Sequence, residues 1–371
     1  MKFQIKLYVL KDYLRRLSCS VQTISSRIEF TGILITVNDN SITFEGRNDY
    51  MDTKIEETSM TTVKIIETGK ALIKATTLNE IIQKMEGEFV TFTRIDSNLL
   101  TIDSKDSNYK INLLSDEKYE KAAMENSMEN PIVISSSNFK ESISKVIFAG
   151  DENNTKFIFQ GVNISIDNGM MTTTVCDGIR IASHKSSQLS DIKINKIIPI
   201  RVVKELIKIL PPTGEYKFSF KEDKGIVVAE NMINQFSLIE GTFPVFDTHF
   251  ELDKYNKTLI IDRSSLIKSI ERATILNLNK ADGSNRIELK ITKDSIIIES
   301  KEQEVGSAKI ELKEIEYEGE GINISMSPKI ILDGIKSLET KKIKILFKEP
   351  EVPVLLKSEK DELNYLMSPM I

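Results

Sequence analysis

Cys176 shares the chain with His184 and His249, and an imidazole beside a thiol is one way to make a cysteine nucleophilic. Cys176, however, closes the strand-like run Met170 to Val175, where a small wall residue is expected, so an inert thiol is favoured over a reactive one. Lys70 follows Gly69, but no glycine stands at the upstream position of a phosphate-binding loop, which argues against nucleotide hydrolysis. The two cysteines, Cys19 and Cys176, and the two histidines lack metal-ligand spacing. Carboxylate pairs such as Glu56 and Glu57 lie in charged surface sequence without an acid–base signature. These residues point to a non-enzymatic scaffold, with no cofactor or metal expected.

The remaining chemistry is charge carried on helices. A first helix-like stretch carries Lys11, Arg15 and Arg16, its later counterpart Lys140 and Lys145, and a third Lys268 and Arg272. A second set adds Lys84, Arg201, Lys204, Lys208, Lys329 and Lys336. The whole chain has net charge −5, so acid must dominate elsewhere, as it does from Glu314 to Glu320. A basic surface on an acidic protein is the electrostatic footprint of sequence-independent phosphate binding. The plainer alternative is a set of solvated helix faces.

The elements that must position these groups recur three times. A helix pattern at Leu10, Tyr13, Leu14 and Leu17 returns as Phe139, Ile143 and Val146, then as Leu266, Ile270 and Ala273. A second recurs in Leu78–Met85, Val203–Leu210 and Ile331–Leu338. The interval, about 125–130 residues, is that of a whole domain, since solenoid units repeat roughly every 20–50 residues. Strand alternation appears as Ile33–Val37 with Ser41–Glu45, as Val162–Ile166 with Met170–Val175, and as Ile287–Ile291 with Ser295–Glu299, each pair split by a turn. Two helices and about eight mostly antiparallel strands per copy make the fold α+β, sheets on one side and helices on the other. Polar stretches at 126–130 and Asp253–Lys257 mark boundaries, giving domains 1–128, 129–252 and 253–371.

Composition agrees. Of 371 residues, 40% are hydrophobic and 28% charged, as in a soluble protein that builds proper cores. No apolar run approaches the roughly 20 residues that cross a bilayer, and the opening Met1–Leu7 alternates like a strand, so no membrane association or export is expected. Two cysteines make no disulfide framework and suit a reducing cytoplasm.

Several segments carry a resemblance to one family. Cys176-Asp177-Gly178-Ile179-Arg180-Ile181-Ala182 resembles the Thr-Asp-Gly-His-Arg-Leu-Ala type motif of bacterial DNA sliding clamps, the beta subunit of DNA polymerase III. Leu238-Ile239-Glu240-Gly241-Thr242-Phe243-Pro244 is similar to a second motif of that family. Met1-Lys2-Phe3, Phe159-Gln160-Gly161-Val162, Ile322–Pro328 and Met367-Ser368-Pro369-Met370 also fit, in register with the three repeats over the full length.

The resemblance implies a processivity factor: a head-to-tail homodimeric ring that encircles double-stranded DNA, helices lining the hole and sheets forming the outer wall. Its DNA-facing set would be Arg15, Arg16, Arg27, Lys140, Lys145, Asn153, Arg201, Lys204, Lys208, Lys268 and Lys336. The ring would close through Tyr109 on one side and Ile275 with Leu276 on the other. The resemblance further implies a groove that takes short peptides with a Gln and bulky apolar residues, borne by replicative polymerase, clamp loader and repair proteins. Phe159, Cys176, Gly178, Ile179, Arg180, Ile181, Pro244, Phe246, Pro353, Leu366, Pro369 and Met370 would line it. Ile179 stands where the family often has His, and Thr248 where a basic residue is common, so a more apolar groove is expected.

Overall fold

The computed structural model describes all residues except 118, 120–123, 125–127, 189–191, 278–284, 303–304, 359–361 and 371. Part of the boundary expected at 126–130 therefore lies outside the described residues. One order of elements is run three times, the second time with one strand fewer among the described residues. The first pass is β1 (Lys2–Lys6), α1 (Leu7–Leu17), β2 (Gly32–Val37), β3 (Ile42–Arg47), β4 (Met51–Glu57), β5 (Val63–Glu67), β6 (Gly69–Lys74), α2 (Ala75–Lys84), β7 (Phe89–Arg94), β8 (Leu99–Ser104) and β9 (Ser107–Asn112). The second is β10 (Ile132–Ser135), α3 (Ser136–Val146), β11 (Gly161–Asp167), β12 (Met170–Cys176), β13 (Arg180–Ser187), β14 (Ile194–Pro199), α4 (Ile200–Ile209), β15 (Glu215–Phe220), β16 (Lys224–Ala229) and β17 (Met232–Ser237). The third is β18 (Lys257–Asp262), α5 (Arg263–Ala273), β19 (Ile287–Ile291), β20 (Ile296–Glu302), β21 (Gly306–Leu312), β22 (Ile315–Glu318), β23 (Ile322–Met326), α6 (Pro328–Ser337), β24 (Lys342–Phe347), β25 (Val354–Lys357) and β26 (Leu363–Met367).

These elements collect into two compact units, Met1–Ser137 with Arg201–Leu238, and Asn138–Ile200 with Ile239–Ile371. The first holds a five-stranded sheet, β5-β1-β7-β8-β9, and an eight-stranded one, β10-β15-β16-β17-β4-β3-β2-β6. The second holds a nine-stranded sheet, β22-β18-β24-β25-β26-β13-β12-β11-β14, and a four-stranded one, β21-β20-β19-β23. The two large sheets follow the same strand order, with β22 added outside β18. In each, the last strand of one pass pairs antiparallel with a strand of the pass before it, β17 with β4 and β26 with β13.

Helix α1 shows why these segments fold as they do. Leu7, Leu10, Leu14 and Leu17 recur at helical spacing and are buried, while Tyr8 and Arg15 on the other side are exposed. Each such side chain contributes about 1.5–3 kcal/mol when fully buried. The Tyr13 hydroxyl, also buried, donates to Glu57 Oε2 at 2.6 Å and accepts from Asn231 Nδ2 at 2.8 Å, which ties α1 to the β4–β17 seam. Helix α5 begins at an Asp262 cap that accepts from Ser265 N at 2.8 Å. Helix α6 lies so close to β26 that a Cβ on Gly334 would sit 2.2 Å from the Tyr365 ring.

Candidate functional site

Five strands of the nine-stranded sheet place one apolar side chain each in a row. Cys176 of β12 lies opposite Ile181 of β13, Ile181 opposite Leu366 of β26, Leu366 opposite Leu355 of β25, and Leu355 opposite Leu346 of β24. Directly opposed residues share a face and pack side by side, so this row is a continuous apolar floor. Phe159, from the 3-10 turn Phe157–Gln160, packs in the same cluster, with Ile197, Ile239 and Phe243 buried beside it and Phe246 half-buried against it. Phe159, Phe243 and Phe246 meet edge to face at centroid distances of 6.1 and 6.2 Å, and His249 continues the series at 5.9 Å from Phe246.

Above the floor runs a rim of turns. Asp177 Oδ1 accepts from the backbone N–H groups of Ile179 and Arg180, both at 2.8 Å, and Gly178 takes a positive φ of 97°. This turn holds Ile179 outward, 54% exposed. Arg180 donates from Nε to Asp177 Oδ2 at 2.9 Å and from Nη1 to Asp333 Oδ2 at 2.7 Å, so its guanidinium joins the rim to α6. Burial opposes its charge, but Asp333, Tyr365 and Asp177 outweigh that and hold its pKa above the ordinary value. The C-terminal segment is pinned at both ends: Ser368 N donates to Ile179 O at 2.9 Å, and Met370 N to Ser325 O at 2.8 Å. Pro244 and Val245 are exposed, and Pro353, Pro369 and Met370 half-buried.

Of the twelve expected groove residues, Phe159, Cys176, Ile181, Phe246 and Leu366 fall in one apolar cluster, and Gly178, Ile179 and Arg180 form its rim turn. Sequence reasoning missed Ile197, Ile239, Phe243, Leu346 and Leu355. Phe243 and Ile239 stand inside the quoted Leu238–Pro244 motif, whereas Leu346 and Leu355 lie in the all-apolar runs Ile345–Phe347 and Val354–Leu356, where period-two patterning marks no face.

Cys176 and His184 do not form a nucleophile–base pair. Cys176 and His184 lie on adjacent strands but at positions of opposite parity, so their side chains leave opposite faces of the sheet. Burial pushes the Cys176 thiol above its ordinary pKa, and Gly178 N donates to its sulfur at 3.3 Å. Burial likewise pushes Cys19 up to about 12. Both cysteines are free. Glu57 accepts from Tyr13 and from Ser59 N at 2.7 Å, and Lys70 pairs with Asp116 at 2.7 Å. Among the described residues no group of His, Cys, Asp or Glu could hold a metal ion, and no helix is long and apolar enough to cross a membrane.

The basic residues divide. In the first unit Arg15, Arg27, Lys204 and Lys208 are exposed, whereas Arg201 is half-buried with its guanidinium 4.2 Å from the centre of the Tyr50 ring. Arg15 donates to Lys208 O at 2.8 Å, drawing it along the surface. Arg16, only 11% exposed, pairs with Asp12 at 2.7 Å and Glu230 at 3.1 Å, so its charge is spent on structure. In the second unit Asn153, Lys268 and Lys336 are exposed and Lys140 half-buried. Lys145 is 8% exposed and pairs with Glu339 at 3.3 Å, so it is not presented on the surface of α3. Tyr109 on β9 and Ile275 after α5 are exposed at 38% and 58%, and Leu276 is half-buried. Ile275 also borders an open cleft of about 600 Å³ shared with Lys268, Arg272 and Leu312.

Comparison with known proteins gives a consistent result along the chain. The N-terminal, central and C-terminal domain families of the DNA polymerase III beta subunit match residues 1–123, 133–245 and 253–371. The chain is 27% identical over 375 residues to a beta sliding clamp of Mycoplasma capricolum, covering 98% of this chain and 96% of that one. It is 27% identical over 372 residues to that of Bacillus subtilis, covering 98% and 97%. Among solved structures, the Bacillus subtilis DNA polymerase sliding clamp superposes with TM-score 0.91 at 24% identity, covering 100% of this chain and 99% of that one. A Pseudomonas aeruginosa sliding clamp bound to griselimycin superposes with TM-score 0.90 at 17% identity over the same shares. These likenesses show a common fold.

Proposed function

The chain belongs to the DNA polymerase III beta subunit family, and we propose that it works as that family's processivity factor, a non-catalytic ring that slides on duplex DNA. The observation that carries this reading is the way the large sheets are joined. The last strand of the second pass, β17, pairs with β4 of the first, and β26 of the third pairs with β13 of the second. The last strand of the first pass, β9, and the counterpart of β4 and β13 in the third, β21, are the outermost strands of their sheets. One rule applied three times therefore joins β9 of one chain to β21 of another. Two chains satisfy it mutually and close head to tail, which pairs the open edges of β9 and β21 at both joints.

The side chains at the internal joint support the same reading. Phe148, second residue of the turn after α3, meets Tyr365, third residue of β26, with ring centroids 5.1 Å apart. The corresponding positions at the open ends are Leu276 and Tyr109. Leu276 with Ile275 on one chain packs against Tyr109 on the other, and three clamp domains per chain, 1–128, 129–252 and 253–371, make a six-domain ring.

Within that ring the exposed cations Arg15, Arg27, Lys204, Lys208, Lys268 and Lys336, with Asn153, face DNA, while the net charge of −5 keeps the outer surface from holding DNA unproductively. Contacts of this kind read phosphates and no bases, so retention is topological. The apolar floor and its Phe159, Phe246 and Ile179 rim receive the bulky residues of peptides borne by the replicative polymerase, the clamp loader and repair proteins, in the cytoplasm at the nucleoid. The test is to load the protein onto nicked circular plasmid with its loader and ATP, linearise half, and size both samples. Retention on circles with loss from linear DNA is expected; equal retention would reduce the protein to an ordinary electrostatic binder.

A further inference from the structure

Because the two large sheets share strand order, each residue of the apolar floor has a register counterpart in the first unit. There Arg47 of β3 lies opposite Asp52 of β4, Asp52 opposite Gln235 of β17, Gln235 opposite Ile226 of β16, and Ile226 opposite Ser219 of β15. The surroundings match as well. Phe30, in the 3-10 turn two residues before β2, corresponds to Phe159, two residues before β11. The bridge of Leu72 with Leu114 corresponds to that of Ile197 with Ile239. The backbone frame of the groove is thus built twice in one chain, and what differs is the chemistry of three adjacent positions, Cys176, Ile181 and Leu366 in one copy against Arg47, Asp52 and Gln235 in the other, together with the far end of the row, Leu346 against Ser219.

Those three side chains make the first copy a poor receptor for apolar groups. The Arg47 guanidinium stands 5.3 Å from the centre of the Phe30 ring and its Nε 3.3 Å from Asp52, so it covers the aromatic surface that Phe159 contributes to the groove. Burial holds the Asp52 carboxyl above its ordinary pKa, against the pull of Arg47 and Lys224, a sign that the pair is already partly stripped of water. Gln235 is 7% exposed and its Oε1 has no hydrogen-bond partner among the described residues. A Leu or Phe side chain laid here would strip the last water from an ion pair and seal an unsatisfied amide oxygen.

We infer that Arg47, Asp52 and Gln235 are specificity-determining residues: they close the second copy of the groove to apolar peptides and limit each chain to one bound peptide. In the ring this sets the number of partners at one per chain. Discrimination of this kind works through groups that penalise the wrong occupant. The inference rests on the peptide-groove reading of the second unit.

The experiment measures peptide stoichiometry on the intact dimer by titration calorimetry, with a synthetic peptide that carries Gln and ends in Leu-Phe. Wild type is expected to take about one peptide per chain, and Arg47→Cys with Asp52→Ile and Gln235→Leu about two. Where thermal melting shows that the triple variant is not folded, the size-matched pair Arg47→Met with Asp52→Leu replaces it. Leu366→Asp in the variant background should then leave only the new site. A folded variant that still binds one peptide overturns the inference, as does a wild type that binds two. A wild type that binds none overturns the groove reading itself, which separates the two failures.

Discussion

Replacing Ile275 and Leu276 by alanine tests the head-to-tail joint with a magnitude that the structure supplies. Each truncation removes three carbons, about 2 kcal/mol of apolar burial at roughly 0.8 kcal/mol per methylene. A two-fold dimer carries the change at both joints, so four side chains are shortened and about 8 kcal/mol of association energy is at stake. Neighbouring truncations are not additive and Leu276 is already half-buried within one chain, so about half that sum is a sound expectation. A loss of about 4 kcal/mol weakens association roughly a thousandfold. Ile275 is 58% exposed, so the fold of each chain loses little and the melting temperature of the monomer should barely move. Light scattering after size exclusion should return a mass near 42.1 kDa for the variant where wild type shows twice that. A variant that keeps the dimer mass at micromolar concentration would refute the assignment of these residues, and a monomeric wild type would refute the joint altogether.

Three further outcomes follow from the geometry. Asp333→Asn removes one of the two carboxylates held by Arg180 and loosens the rim turn against α6, so peptide affinity by fluorescence anisotropy should fall about tenfold, the equivalent of one charged hydrogen bond. Asp262 caps α5, and its hydrogen bonds to Ser265 hold its carboxyl below the usual range, so the stability it adds is present above the unfolded pKa of about 3.9 and lost as pH falls through the lower folded value. Asp262→Ala should therefore cost about 1 kcal/mol in urea unfolding at pH 7, and the difference should shrink below pH 4. Cys19 and Cys176 both have thiols raised by burial, so Ellman's reagent at pH 8 should label neither in the native protein within minutes and both in guanidinium; rapid native labelling of Cys176 would reopen a nucleophilic role.

The helices and most strands were legible because their periodicity is local. The pattern Ile287–Ile291 is β19 to the residue, and Ile33–Val37 and Met170–Val175 became β2 and β12 with one residue added at an end. The same locality explains the errors among the cations. Nothing near Arg16 announces Glu230, and nothing near Lys145 announces Glu339, each some two hundred residues away; only the folded chain brings those carboxylates within 3.1 and 3.3 Å. Nor does anything near Ser368 or Met370 announce the backbone bonds that hold them, since those bonds reach Ile179 and Ser325.

By itself, the sequence determined the kinds of element and their threefold recurrence, since each depends on neighbours in the chain. Which strand lies beside which was decided only by the tertiary structure. Register is a long-range quantity, set when β26 meets β13 and β17 meets β4, and it aligns residues from distant segments into rows. That is why Cys176, Ile181 and Leu366 form one apolar floor while Arg47, Asp52 and Gln235, equally scattered along the chain, form its charged counterpart.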